Sequence, residues 1–320
     1  MELWHIKTDS MTNITPLIGK ISWRSNKDEL GDEVTFDIAF NDVKYFPKNP
    51  VGIGSFLSLR GKNELFRGIT ITENKVGRNP IGYTSFDYAF YLNKSKSVYQ
   101  FENAPANNAV LKLLNDFSVP VGNIALDNVS IDKIYVNDVI SDIIKNIIEQ
   151  VEQKTGKKYL MEMRSGKFYI ENRANLIIKT SVQLASNIAP IDGIHTISEP
   201  SRTRSIENMK NSIQIVKDNK LLATVKNDSL INDFGLLQDV IIVDKSLSES
   251  QTVANNMLKE LGKIFEENSI PMLGDENVRA GRLLEVNEPV TGMNGIYLIK
   301  SVNHTFENGI HKMVVDLEVS

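Results

Sequence analysis

Tyr83-Thr84-Ser85-Phe86-Asp87-Tyr88-Ala89-Phe90-Tyr91-Leu92-Asn93-Lys94-Ser95-Lys96 decides how the chain is read. Thr84, Phe86, Tyr88 and Phe90 fall on alternate positions, the period of two that marks a β-strand. The turn signal Gly77-Arg78-Asn79-Pro80 stands just before it. Working outward, residues 64–73 carry Leu65, Arg67, Ile69 and Ile71 on one face, and 56–59 start another strand after Gly52 and Gly54. Val34, Phe36, Ile38 and Phe40 alternate with Thr35, Asp37 and Ala39. Ile21 and Trp23 alternate with Ser22 and Arg24, and the polar stretch 26–32 is the turn between these two runs. Strands at this spacing with little helix predict a small antiparallel barrel or sandwich over about residues 1–100.

The middle of the chain changes period. Asn103-Ala104-Pro105 is expected to open a helix whose apolar stripe is Val110, Leu113, Leu114 and Phe117. A stronger helix follows, with Asn137 as expected N-cap, Val139, Ile140, Ile143, Ile144, Ile147, Ile148 and Val151 at helical spacing, and Gly156 as its stop. Residues 159–163 and 167–171, joined through Ser165-Gly166, read as a hairpin. The last third returns to strands. Residues 212–216 and 221–225 flank Asp218-Asn219, 228–234 form a short helix stopped by Gly235, and 240–243 make a short strand. Ser248 and Gln251 form a capping box for a helix expected to reach about Glu266. The strands 282–286, 295–306 and 310–319 close the chain, the last two joined through the hairpin signal Asn308-Gly309.

Composition closes several chemistries. The chain has 320 residues with 36 Lys+Arg, 40 Asp+Glu, 4 His and no cysteine. Without cysteine there is no disulfide, thiolate zinc site, iron–sulfur cluster or cysteine nucleophile. The formal charge of -4 argues against a general binder of phosphate backbones. Residues 1–10 lack the apolar core of a secretory signal, and the greasiest stretch, 139–151, is interrupted by Ser141, Asp142, Lys145, Asn146, Glu149 and Gln150. Folding in a cytoplasm is therefore expected, with export inside a particle left open.

The search for an active site is thin. No G-x-S-x-G elbow, H-E-x-x-H helix or P-loop occurs, and Gly52-Ile53-Gly54 reads as a turn between strands. If Asn308-Gly309 is a two-residue turn, Phe306 faces His311, His304 faces Met313 and Val302 faces Val315. His304 and His311 are then diagonal neighbours. Their companions are apolar, no carboxylate shares the face and a third ligand is missing, so a packed or hydrogen-bonded structural pair is expected rather than a metal site. His5 and His195 are isolated. Asp192, Glu199, Asp239 and Asp244 offer carboxylate pairs, as any acidic chain does. Arg202, Arg204, Lys210, Lys217, Lys220 and Lys226 give 202–226 a positive bias that reads as a solvated face or a contact for an acidic partner. The expectation is no catalytic residue, no metal ligand, no cofactor-binding residue and no cofactor.

The run 83–96, together with Phe66-Arg67-Gly68-Ile69, resembles the tail-hub proteins of contractile phages and phage-derived particles, specifically the XkdQ/YqbQ group of the PBSX prophage. The resemblance continues in Phe234-Gly235-Leu236-Leu237-Gln238, Gly274-Asp275-Glu276, Val278-Arg279-Ala280-Gly281, Gly295-Ile296-Tyr297-Leu298-Ile299 and His304, an order also similar to the wider late-control and baseplate-hub superfamily. It implies an α+β, mainly β fold, with two tail-tube-like antiparallel β-barrel modules flanking an α+β insert. The expected division is 1–102, 103–203 and 204–320, the last with a helix over 248–266, and the barrels can be completed by distant segments. It implies a non-enzymatic baseplate hub: a trimer whose two modules per chain make a pseudo-sixfold ring joining the tail tube to the central spike. Implied partners are further copies of the chain, the tail tube protein, the central spike protein, a LysM-type tail protein and baseplate wedge components. Tape-measure protein or DNA would pass through the channel without specific binding, there would be no membrane insertion, and assembly would take place in the bacterial cytoplasm. A channel that repels phosphate calls for a pore face poor in Lys and Arg. The alternatives are a tail-associated cell-wall hydrolase and a carbohydrate-binding module, the latter weakened because Trp4 and Trp23 both sit on strand patterns.

Overall fold

The computed structural model describes residues 1–40, 44–45, 47–184, 196–197, 199–242 and 247–319. The first strands are β1 (Glu2–Lys7), β2 (Ser10–Asn13), β3 (Ile18–Asn26), β4 (Glu33–Ile38), β5 (Phe56–Arg60), β6 (Glu64–Asn74) and β7 (Ile81–Asp87). Then come α1 (Ala89–Lys94), β8 (Lys96–Pro105), α2 (Ala106–Asp116), β9 (Val121–Ile124), β10 (Ser130–Val139), α3 (Ile140–Thr155), β11 (Tyr159–Arg164) and β12 (Lys167–Asn172). Strands β13 (Ile177–Leu184), β14 (Thr196–Ile197), β15 (Ser201–Ser205), β16 (Ser212–Lys217) and β17 (Lys220–Lys226) lead to α4 (Asp228–Phe234), β18 (Gln238–Ile242) and α5 (Leu247–Leu261). The chain ends with β19 (Phe265–Leu273), β20 (Leu283–Glu288), β21 (Met293–Glu307) and β22 (Ile310–Val319). The fold is mainly β, as expected, but among the described residues its sheets do not close into the two barrels that the resemblance implies. Its contacts divide it into two compact units, Met1–Pro200 with Ser269–Ser320, and Ser201–Asn268.

In the first unit the strand order β14-β13-β20-β21-β3-β4-β7-β6-β5-β1-β2 runs through one sheet, and β22 pairs with both β21 and β19. The join between the two ends of the chain is β21 against β3, antiparallel from Ser301↔Asn26 to Glu307↔Lys20. Strands from the first and last thirds therefore share a ladder. Leu3, Trp23, Val34, Phe36, Leu57, Leu59 and Phe66 fill the core beneath the N-terminal strands. Ile270, Leu284, Ile299, Val302, Met313 and Val315 do so at the C-terminal end.

The α+β middle packs α2 and α3 against the β8–β10 ribbon. Ile140, Ile143, Ile144, Ile147, Ile148 and Val151 are all buried on one face of α3, each contributing about 1.5–3 kcal/mol on transfer from water. Gly156 ends α3 in the left-handed conformation at φ 72°, as its sequence position predicts. Ser165-Gly166 turns the β11–β12 hairpin with φ 50° and 71°.

Four boundaries differ from the sequence reading. The strand through Phe90 stops at Asp87, and Ala89–Lys94 is helical. Asp87 causes the break: its Oδ1 accepts the Ala89 backbone N–H at 2.9 Å and its Oδ2 accepts that of Asp32 at 2.6 Å. Such short-range side-chain acceptance competes with the ladder and turns the chain. The helix expected from Asn103 begins at Ala106, because β8 holds the chain extended to Pro105. Asn137 does not cap α3. It sits at φ 61° beside an irregularity in the β10–β8 pairing, and Val139 is the cap residue. The helix expected to reach Glu266 ends at Leu261. A side chain on Gly262 would meet the Leu258 carbonyl at 2.5 Å, and Phe265 already opens β19.

The second unit holds a three-stranded sheet, β17-β16-β18, with helices α4 and α5, and also contains β15. Ile213 and Ile215 of β16 pack with Ala254 of α5, and with Ala223, Val225, Ile241, Met257 and Leu258 around them. Asp218-Asn219 makes the β16–β17 turn at φ 49° and 61°. Asn227 Oδ1 accepts the Leu230 N–H to cap α4, and Gly235 ends it.

Candidate functional site

Three segments far apart in sequence meet at one buried centre in the first unit. The polar turn 26–32 delivers Asp32, hairpin β11–β12 delivers Glu162 and the Met163 carbonyl, and the turn between β19 and β20 delivers Arg279 and Arg282. Arg279 is 6% exposed. Its Nη2 donates to Asp32 Oδ2 at 2.6 Å and to Met163 O at 2.8 Å, while Nη1 donates to Leu65 O at 3.4 Å. Its Nε lies 3.4 Å from Glu162 Oε2, and its guanidinium stands 5.0 Å from the Trp23 ring centroid. Trp23 Nε1 donates to the same Asp32 Oδ2 at 2.9 Å.

A second arginine completes the lock. Arg282 forks onto Glu162, Nη1 to Oε2 at 2.7 Å and Nη2 to Oε1 at 2.6 Å. The planar guanidinium matches a carboxylate in this bidentate way and lysine does not. Arg164 Nη1 brings a third arginine to Glu162 at 3.1 Å. Burial pushes Glu162 upward, but Arg279, Arg282 and Arg164 overcome it and hold the carboxyl below its ordinary range. Burial raises Asp32 despite Arg279 and the Trp23 N–H. Burial, with Asp32 beside it, carries Asp87 well above its ordinary value.

Trp23 also stacks on His304, centroids 4.5 Å apart at 15°. The C-terminal hairpin has the register read from the sequence, His304↔Met313, Phe306↔His311 and Val302↔Val315, with Asn308-Gly309 at φ 51° and 77°. The two histidines are hydrogen-bonded to each other, His304 Nδ1 to His311 Nε2 at 3.0 Å, and His304 Nε2 donates to Val278 O at 2.9 Å. The sequence reading missed Asp275 and Glu276, whose charges act on His311 from the preceding turn. Among the described residues no group of three or more His, Asp or Glu side chains is placed to hold a metal ion.

The other sequence candidates among the described residues do not join this centre. Asp192, His195 and Asp244 lie outside the described residues, as does Val243. Glu199 is exposed in the first unit, and Asp239 belongs to β18 of the second, where its Oδ1 accepts the Val240 N–H at 2.8 Å. The basic run is partly neutralised within its own unit: Arg202 donates to both Glu266 oxygens, at 2.7 and 3.2 Å, Arg204 lies 3.3 Å from Glu266, and Lys226 lies 2.8 Å from Asp228. An open cleft of about 310 Å³ is lined by Asn123, Asp127, Lys157, Tyr159, Glu171 and Asn172, and Lys157 and Asp127 of this lining form an ion pair. The buried centre spends its charges on one another and on backbone carbonyls. Its chemistry is that of a joint. Arg279 and Asp87 both stand in the motifs that carry the family resemblance; Asp32, Glu162 and Arg282 carry no local signal, since their partners are distant in sequence.

Comparison with known proteins places this architecture. YqbQ of Bacillus subtilis (strain 168) is 27% identical over 264 residues, covering 81% of this chain and 78% of that protein. The phage-like element PBSX protein XkdQ of the same strain is 24% identical over 293 residues, covering 90% of this chain and 84% of that protein. The crystal structure of the 43 kDa tail protein of prophage MuSo2 from Shewanella oneidensis superposes with a TM-score of 0.73 at 12% identity, covering 100% of this chain and 98% of that one, and so shares the fold. The profile of YQBQ-like proteins matches residues 21–318, a span that takes in the Trp23, Asp32, Asp87, Glu162, Arg279 and His304 centre, and the chain belongs to the YQBQ-like family.

Proposed function

We propose that this chain is a structural, non-enzymatic component of a phage tail or phage-tail-like particle, and within it the baseplate hub. The carrying observation is the end-to-end likeness of fold to a prophage tail protein, over 100% of this chain and 98% of that one. The family relative XkdQ, a PBSX protein, points the same way. The chemistry of the chain supports the reading. Its buried charged centre, Asp32, Glu162, Arg279 and Arg282, joins segments distant in sequence, which suits a part whose role is structural.

In the finer form of the proposal, three copies form a ring. The β-rich parts of each chain, drawn from 1–102 and 204–320 and joined in one open sheet through β21 and β3, present tube-like faces around the insert 103–203, giving pseudo-sixfold symmetry between tail tube and central spike. A ring of this kind needs large lateral surfaces and no reaction pocket. LysM-type and wedge proteins are its proposed outer neighbours, and DNA or tape-measure protein passes through a pore face poor in Lys and Arg. The test is genetic and physical. Deleting the gene should leave particles without an assembled baseplate, and complementation with an epitope-tagged chain should restore them with the tag in sedimented particles. Normal tails from the deletion strain would refute the structural role. A strongly basic lumen would refute the pore claim alone.

A further inference from the structure

The histidine pair beneath Trp23 has a proton logic of its own, independent of the tail role. A carbonyl only accepts, so His304 Nε2 carries the hydrogen it gives to Val278 O. His304 Nδ1 and His311 Nε2, 3.0 Å apart, then share one hydrogen between them. If the pair gains one proton, the bond survives, because whichever ring takes it the other still offers a lone pair. If the pair gains two, both facing nitrogens carry hydrogen and neither accepts. Two cations would then stand in contact, with Arg279 nearby.

The His304 ring holds a turn at Val278 O, and the Gly274 N–H donates to the main-chain oxygen of His311 at 2.9 Å. Further along the same turn, the Ala280 N–H donates to Ser25 Oγ at 3.1 Å and the Gly281 N–H to Ile299 O at 2.8 Å. Arg279 lies between these anchors, so the hold on the turn is also the hold on its contacts to Asp32 and Met163 O.

We propose that His304 and His311 form a two-proton latch on the turn 274–281: the pair keeps the turn closed while it carries at most one added proton, and on taking the second the two facing cations repel and carry the His304 ring off Val278 O. The groups facing the pair set the order of uptake. His311 faces the Glu276 and Asp275 carboxylates, which favour a proton there, and the Met1 amino group, which opposes it. His304 faces His311 and the Arg279 guanidinium, both of which oppose a second charge, and its other neighbours are the uncharged Trp23 ring and the Val278 carbonyl. Burial, ahead of these charges, pushes His304 down to about 3 and His311 below its ordinary range, so both rings are neutral at pH 7.

Hydrogen exchange on the full chain, corrected for intrinsic rates, tests this between pH 7.5 and pH 4. The amides of 278–281 are expected to lose protection roughly tenfold or more, with a steeper than one-proton dependence, while those of α3 stay protected. His311→Gln retains a donor and an acceptor at this position but takes no proton, so it never reaches the doubly charged state. In this variant the turn is expected to stay protected at the pH where the wild type opens. Equal opening in both proteins, or a wild-type turn that opens only together with α3, overturns the latch. If His311→Gln fails to protect α3 at pH 7.5, imidazole NMR titration of the wild type decides. A second protonation coincident with turn opening supports the latch, and two independent protonations with the turn closed overturn it.

Discussion

At the scale of single residues, Arg279 ties its turn to three segments far away in sequence. It meets Asp32, Met163 O, Leu65 O and the Trp23 face at once. Removing one partner of a buried ion pair leaves the other charge without compensation, at a cost of roughly 3–5 kcal/mol. Arg279→Ala is therefore expected to lose about that much stability in urea unfolding, and Arg279→Lys to lose part of it, since an ammonium cannot span the same acceptors. A loss under about 1 kcal/mol for Arg279→Ala would contradict the role of this joint. His304 adds a pH dependence of definite sign. Its folded value, about 3, lies below the ordinary 6.5. Between these limits the unfolded chain binds a proton that the folded chain refuses. Stability is unpenalised above about pH 6.5 and falls as pH drops through the window, by at most ~1.4 kcal/mol per pH unit. Asp87, raised by burial, works in the opposite sense over its own range. The difference between wild type and His304→Gln isolates the histidine: urea midpoints at pH 7.5 and pH 5 should converge in the variant relative to the wild type.

At the scale of elements, the instructive case is the run that decided the reading. Its first half is the strand that alternation predicts, and its second half is a helix because Asp87 turns the chain. Asp87→Ala removes both acceptors and leaves the Asp32 and Ala89 N–H groups unsatisfied, so a loss of roughly 1–3 kcal/mol is expected. Asp87→Asn keeps one acceptor and should recover part of it, and equal losses in thermal unfolding would refute the turn-forming role. Gly31 faces the same corner. It sits at φ 103°, and a side chain there would meet Phe86, Asp87 and Ala89 at 2.6 to 2.8 Å. What could be read from sequence was local. The hairpins at Ser165-Gly166, Asp218-Asn219 and Asn308-Gly309, the α3 stripe and the histidine register all follow from periods and turn residues acting within a few positions. The His304–His311 pair was legible down to its register because a two-residue turn fixes every cross-strand partner. The Arg279–Asp32 contact was not, because it closes over 247 positions and neither residue bears a periodic signal. The break at Asp87 was missed for the same reason: it depends on the Asp32 backbone, brought there by another strand.

At the scale of the whole molecule, the two ends of the chain meet in one ladder through β21 and β3, and the buried centre bolts the insert to them. The proposed ring makes a numerical claim, and electron cryomicroscopy of particles carrying the epitope-tagged chain counts it. Three copies around the axis, at the junction of tail tube and central spike, is the expected result. Six copies, copies repeated along the tube, or density confined to the periphery of the baseplate would contradict it.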